Sequence, residues 1–196
     1  MKVQYCFIRR EFFEEHSDFT NMLDPGNADK QSKRTHLGVL INVDKNKVYI
    51  PLRNNLGDAV RKYGKIGFSV PSKKRPKAGL DYRYALIIND EKYIEYHTSA
   101  KLPNAQHLII NNNFDIIERE INTYITRYIK VAKKKRVEKE PLFRNSSLIN
   151  FHHELGIIET EMEETILPDE IEAITRADES IKRDGTISHE DINWNY

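Results

Sequence analysis

Six residues from Phe114 to Ala132 constrain this chain more than any other feature. Phe114, Ile117, Ile121, Ile125, Tyr128 and Ala132 recur at steps of three and four, so a helix over about 115–133 turns them all to one face. Three asparagines before it are able to cap it. A helix with one apolar stripe must lie against a second apolar surface. That surface reads as strands. Val3–Ile8 is one, followed by a short helix over Arg9–His16 and a polar loop over 17–35. Leu37–Val43 and Lys47–Leu52 form a hairpin around "DKNK", with Val48 and Ile50 alternating against Lys47 and Tyr49. "GDAVRKYG" reads as a helical turn, Phe68–Val70 as a small strand, and Tyr84–Ile88 with Tyr93–Tyr96 as a second hairpin around "NDE". Ser147 opens a further helix through Glu154, stopped by Gly156. The expected fold class is α+β: an antiparallel sheet or small open barrel flanked by helices, plus an acidic helical C-terminal tail.

The net charge of +1 over 196 residues hides an asymmetry. Residues 1–150 hold 28 Lys and Arg against 17 Asp and Glu, and residues 151–196 hold 3 against 13. The boundary is placed there: a basic domain over 1–150 and an acidic tail over 151–196. A body at +11 suits a polyanionic partner such as RNA, and a tail at −10 suits a basic surface, including that of its own chain. No run of 18 apolar residues predicts a membrane span, and "MKVQYCFIRREFFEEH" lacks a signal-peptide core, so a cytoplasmic protein is expected. The lone Cys6 lies in an apolar run and reads as core. No metal is expected, because His152, His153 and Glu154 are adjacent and no HExxH or paired CxxC spacing occurs. No glycine-rich phosphate loop occurs either, so no cofactor is expected.

Two polar clusters border strands. In "KVYIPLRNN" the strand passes Pro51 and Leu52, then presents Arg53, Asn54 and Asn55. They make a turn, or they are functional groups held by a rigid element. In "KKRPKAGLDYRYALII", Lys73, Lys74, Arg75 and Lys77 precede Asp81, Tyr82 and Arg83 at the entry of an aliphatic strand. This is a solvated loop with a local Asp81 turn, or a phosphate-contact surface whose site residues include Tyr82 or Arg83. In antiparallel neighbours, the end of the first strand and the start of the second are adjacent. "KKKR", Lys133, Lys134, Lys135 and Arg136, adds a third basic group, at a helix carboxyl end where cations are also favoured.

"THLGVLINVDKNKVYIPLRNN" followed by "AGLDYRYALII" resembles the ToxN/AbiQ superfamily of type III toxin–antitoxin endoribonucleases, and in particular its TenpN and CptN branches. The resemblance rests on Gly38 in one strand, Pro51-Leu52 ending the next, and Gly79-Leu80-Asp81-Tyr82 entering a third, and covers about residues 1–145. It implies a compact, strongly curved antiparallel sheet with packed helices, metal-independent cleavage of mRNA and inhibition by a small repeat antitoxin RNA. In the family's type member, Pro-Leu is followed by Thr-Ser-Pro-Lys, whose hydroxyl and ammonium groups are used in cleavage. Here Arg53-Asn54-Asn55-Leu56 stands there, so that chemistry does not carry over.

A ribose 2′-OH attacks its adjacent phosphate without metal if a base takes the proton, a cation stabilises the phosphorane and an acid protonates the leaving oxygen. Arg53 suits the cation role because its fork binds phosphate oxygens in pairs. His36 and Tyr82 are the proton-transfer candidates, Asn54 and Asn55 donors to phosphate or base. Two other readings stand beside it: a non-catalytic RNA-binding module using the same basic face, and a protein-interaction or antitoxin component. The last rests on the tail, where "SIKRDGTISHEDI" resembles carboxyl-terminal segments of YefM/Phd-type antitoxins. Helices over about 168–185 and from Ser188 are expected there, as is a contact of the tail with a basic site.

Overall fold

The computed structural model describes residues 3–41, 43, 45–58, 65–98 and 101–157, together with Arg176, Glu179, Lys182 and Arg183. The chain divides into two compact units, Met1–Ile158 and Glu159–Tyr196. In the second unit the four described residues are helical and exposed. The tail's expected capping box and its contact with a basic site lie outside the described residues.

The first unit is α+β, with an open antiparallel sheet of seven strands among the described residues. The strands are β1 (Gln4–Ile8), β2 (His36–Leu40), β3 (Lys47–Arg53), β4 (Gly67–Ser69), β5 (Gly79–Asp81), β6 (Leu86–Ile87) and β7 (Ile94–His97). Their order is β4-β5-β3-β2-β1-β7, with β6 also paired to β3. The β2–β3 hairpin aligns Gly38 with Tyr49 and His36 with Pro51. β3 is shared along its length: Val48 and Tyr49 pair with β6, whereas Leu52 and Arg53 pair with β5. The pairing with β5 sets the end of β3 beside the strand that Asp81 completes.

Four helices flank the sheet among the described residues: α1 (Arg10–Glu15), α2 (Ala28–Ser32), α3 (Asn104–Asn112) and α4 (Phe114–Ala132). The α4 stripe is buried as its spacing requires, with Tyr124 added to it. Tyr124 and Tyr128 pack on Phe143, at centroid distances of 5.3 and 5.6 Å. Burying one such side chain contributes about 2 kcal/mol, so this stripe is a large part of what holds helix to sheet.

Several expectations change. The second hairpin does not form: β6 pairs with β3, and β7 pairs with β1 at the far edge. Asp90 redirects the chain, its carboxylate accepting the Lys92 amide at 3.0 Å to open a 3-10 turn over Glu91–Tyr93. The 17–35 loop contains α2, capped by Asn27, whose side chain accepts the Lys30 amide at 2.9 Å. Asn111 and Asn112 end α3 instead of capping α4, and Asn113 donates its amide to the Ile109 carbonyl at 2.8 Å. The helix after Ser147 is a 3-10 segment over Ser147–Phe151, capped by Ser146.

Candidate functional site at the end of β3

Pro51 sits in β3 without breaking it, and Leu52 completes the strand by donating its amide to the Thr35 carbonyl at 2.9 Å. Arg53 is the last residue in register, opposite Gly79. A methyl group at Gly79 would sit 2.4 Å from the Phe68 carbonyl oxygen and 2.3 Å from Leu56 Cδ1. Only glycine allows β4, β5 and the end of β3 to approach so closely.

That approach places Arg53 on Asp81. The Asp81 side chain is fully buried, and Arg53 Nη1 donates to its Oδ2 at 2.7 Å. Arg83 closes on the same carboxylate in a fork: Nε to Oδ1 at 2.9 Å and Nη2 to Oδ2 at 2.7 Å. The Arg83 amide also donates to Oδ1 at 3.2 Å, so the expected local Asp81 turn exists within the larger cluster. Both guanidiniums lie over the Tyr84 ring, at 5.2 and 5.4 Å from its centroid. Ser146 and Ser147 donate to the Arg83 carbonyl at 3.2 and 3.1 Å, tying the segment after α4 to this turn. Two cations against one carboxylate leave one excess positive charge. Burial opposes the Arg83 charge, but hydrogen bonding and attraction to Asp81 outweigh it and raise its pKa. Arg53 keeps a quarter of its side chain exposed.

Asn54 and Asn55 are exposed beside this cluster. The Leu56 amide donates to the Lys77 carbonyl at 2.9 Å, which seats the asparagines next to the basic loop. In that loop Lys73, Lys74, Arg75 and Lys77 are all exposed, around a two-stranded bridge between Ser72 and Arg75. The structure therefore gathers Arg53, Asn54, Asn55, Asp81, Arg83 and the 73–77 loop into one region. Asp81 is not itself an RNA contact here, since its side chain is fully buried and occupied by two arginines.

The proton-transfer candidates are placed otherwise. Tyr82 is fully buried, and its hydroxyl donates to Glu120 Oε2 at 3.0 Å. Burial, with the Glu120 charge next, pushes its pKa far up, so the phenol stays protonated and does not act as a base. His36 is 3% exposed, with Nδ1 at 2.9 Å from the Arg34 carbonyl. Desolvation lowers its pKa to about 3, and it stays neutral and weakly basic. The strand-start position suggests a surface histidine, and His36 is instead a satisfied core residue. Lys133 to Arg136 are exposed, but Lys133 lies 13 residues after Glu120, roughly 20 Å along the helix axis. They form a separate basic patch. Tyr84 and the two serines join the site without any signal in the sequence, because nothing local marks a tyrosine as a platform for two arginines.

The remaining groups are structural. His152 Nε2 meets the Tyr128 hydroxyl at 2.9 Å, and burial pushes the Cys6 thiol up to about 12. Among the described residues no helix is long and apolar enough to cross a membrane.

No protein-family model and no curated protein matches the sequence. Among solved structures the chain is similar to AbiQ, a lactococcal anti-phage endoribonuclease belonging to the type III toxin–antitoxin system. Identity is 14%, the TM-score is 0.51, and the match covers 65% of this chain and 83% of that chain. One chain from a bacterial type III system with selective toxin inhibition by a non-coding RNA pseudoknot matches at a TM-score of 0.48 and 15% identity, over 63% of this chain and 78% of that one. Another, from a bacterial antiviral system regulated by a processed non-coding RNA, matches at 0.43 and 19%, over 63% and 83%. At such identities the likeness is one of architecture: this chain shares the fold of AbiQ.

Proposed function

We propose that this chain is a toxin-type endoribonuclease of a toxin–antitoxin or phage-defence system, restrained by a small repeat antitoxin RNA. AbiQ, whose fold it shares, is described as an anti-phage endoribonuclease. The observation that carries the reading is the convergence of Arg53 and Arg83 on one buried carboxylate beside exposed Asn54 and Asn55.

In this reading RNA lies along the 73–77 loop, whose cations bind the backbone through counterion release. Arg53 presents its guanidinium to the scissile phosphate, and Asp81 and Tyr84 hold it so that little order is lost on binding. As the 2′-oxygen attacks, charge develops on the non-bridging oxygens, and the excess positive charge stabilises it. The 2′-OH proton leaves to water, since neither Tyr82 nor His36 is placed to take it; the P–O5′ bond then breaks to leave a 2′,3′-cyclic phosphate, and water protonates the departing 5′-oxygen. Asn54 and Asn55 position the phosphate or read a base edge.

The burial of both proton-transfer candidates favours a second reading, an RNA-binding module without catalysis. Induced expression in bacterial cells separates the two. Growth arrest with RNA fragmentation, both lost in Arg53→Ala, supports the enzyme. RNA binding by the purified chain with neither effect leaves the binding module.

A further inference from the structure

A cleft of about 510 Å³ opens at the rim of the sheet, where the start of β1 and the end of β7 meet α3. Gln4, Tyr96, Thr98 and Asn111 line its mouth, and Tyr5, His97 and His107 its wall. Among the described residues, no carboxylate lines it.

The wall is a set of coupled rings. Tyr5 and His97 lie nearly parallel at 6.2 Å, and His97 packs on Phe7 at 4.4 Å. Burial pushes the Tyr5 phenol up to about 12, and its hydroxyl lies 3.0 Å from His107 Nδ1. At the mouth, Tyr96 is 45% exposed. Lys101 Nζ stands 4.5 Å over the Phe7 ring on the same side of the wall.

Two of its lining residues, Gln4 and Tyr96, share a sheet face with Arg53, while Tyr5 and His97 alternate to the opposite face. Gln4 pairs with Gly38, Gly38 with Tyr49, and Cys6 with Tyr96. Side chains alternate along each strand, so Gln4, Tyr49, Arg53 and Tyr96 all belong to one face. Three strand spacings separate β7 from β3, roughly 14 Å.

We propose that this cleft is a base-binding subsite for single-stranded RNA, in which an unstacked base lies on the exposed ring of Tyr96 and presents its edge to the Gln4 and Asn111 amides. An aromatic face with amides beside it is the chemistry that recognises a splayed nucleobase. With no carboxylate among the described lining residues to repel them, the attached phosphates can approach. The subsite rests on the RNA reading of the Arg53 site and adds to it a base preference set at a distance from the scissile phosphate.

The test is fluorescence anisotropy with a short 2′-O-methyl oligoribonucleotide, which has no free 2′-OH to attack, alongside its duplex at the same salt. Tyr96→Ala binds the single strand about tenfold more weakly, the scale of removing one base–aromatic stack, and binds the duplex as the wild type does. Tyr96→Phe retains wild-type affinity, and Gln4→Ala changes which base is preferred. Unaltered melting temperatures verify that these surface changes leave the fold intact. Single-strand binding undiminished in Tyr96→Ala, together with weakened binding in Arg53→Ala, overturns the subsite alone. A wild-type chain that binds neither probe overturns both the subsite and the RNA reading.

Discussion

Replacing Asp81 with asparagine removes the one negative charge that lies between two guanidiniums. The wild-type carboxylate accepts three side-chain hydrogen bonds, at 2.7, 2.9 and 2.7 Å, with no exposure to water. Asparagine can accept with only one atom, and its amide turns further donors toward the arginines. Breaking a buried ion pair costs about 3–5 kcal/mol. The Arg53 and Arg83 side chains are 25% and 16% exposed, so water recovers part of their solvation. That places Asp81→Asn near the lower bound, about 3 kcal/mol. For a domain of this size, each kcal/mol moves the melting temperature about 2–4 °C, so a loss of roughly 6–12 °C is expected at neutral pH. The assay is thermal unfolding of wild type, Asp81→Asn, Arg53→Ala and the double variant. Residues in one network couple, so the double variant should cost at least about 1 kcal/mol less than the sum of the two singles. A melting temperature within about 2 °C of wild type, or additive singles, refutes the claim that Asp81 organises the site.

Gly79→Ala should cost about 3 kcal/mol, because its methyl meets the Phe68 carbonyl and Leu56 and must force β4 from β5; urea unfolding reads it, and a change under about 0.5 kcal/mol contradicts the close approach. His36 has a folded-state pKa of about 3 against an ordinary 6.5, so its contribution is complete above pH 6.5 and is lost as pH falls toward 3. Stability should drop by about 2 kcal/mol between pH 7 and pH 5 from this residue, and His36→Leu should flatten that dependence in melts across the range. Neutralising Lys73, Lys74, Arg75 and Lys77 with glutamine should weaken RNA binding across sequences. The salt slope should fall by about 0.7 for each phosphate the loop no longer neutralises, as titrations at several salt concentrations will show. With no general base titrating near neutrality, log cleavage rate should rise steadily with pH over about pH 5–8; a bell-shaped profile would reveal a proton-transfer residue beyond Tyr82 and His36.

The parts of the fold legible in the sequence are those fixed by local periodicity. The α4 stripe and the β2–β3 hairpin need only the spacing of apolar side chains and a turn between them. The meeting of Arg53 with Asp81 is legible as a meeting of antiparallel strand ends, but not its detail: Asp81 ends β5, a strand with no signal of its own, instead of starting the aliphatic strand. Strand partnership is not. Leu86–Ile87 and Ile94–His97 are close in sequence, yet an Asp90-capped turn sends the second to the opposite edge of the sheet. Burial of single polar residues is also hidden. His36 reads as a surface histidine because its compensation, the Arg34 carbonyl, is a backbone atom present in every sequence. Tyr82 has its hydroxyl satisfied by Glu120, 38 residues away, a pairing that only the packing of α4 creates. In the site, the charges are legible and the groups that hold them, Tyr84, Ser146 and Ser147, are not.

The most direct measurement is analysis of RNA ends after incubation with the purified chain. Attack by the 2′-OH leaves fragments bearing 2′,3′-cyclic phosphate, and mass spectrometry detects them. The wild type should produce such ends from RNA and none from an oligonucleotide lacking 2′-OH groups, and Arg53→Ala, folded by its melting curve, should produce almost none. Cyclic-phosphate ends formed by Arg53→Ala at the wild-type rate, or no such ends from the wild type, would contradict the claim that this guanidinium acts on the scissile phosphate.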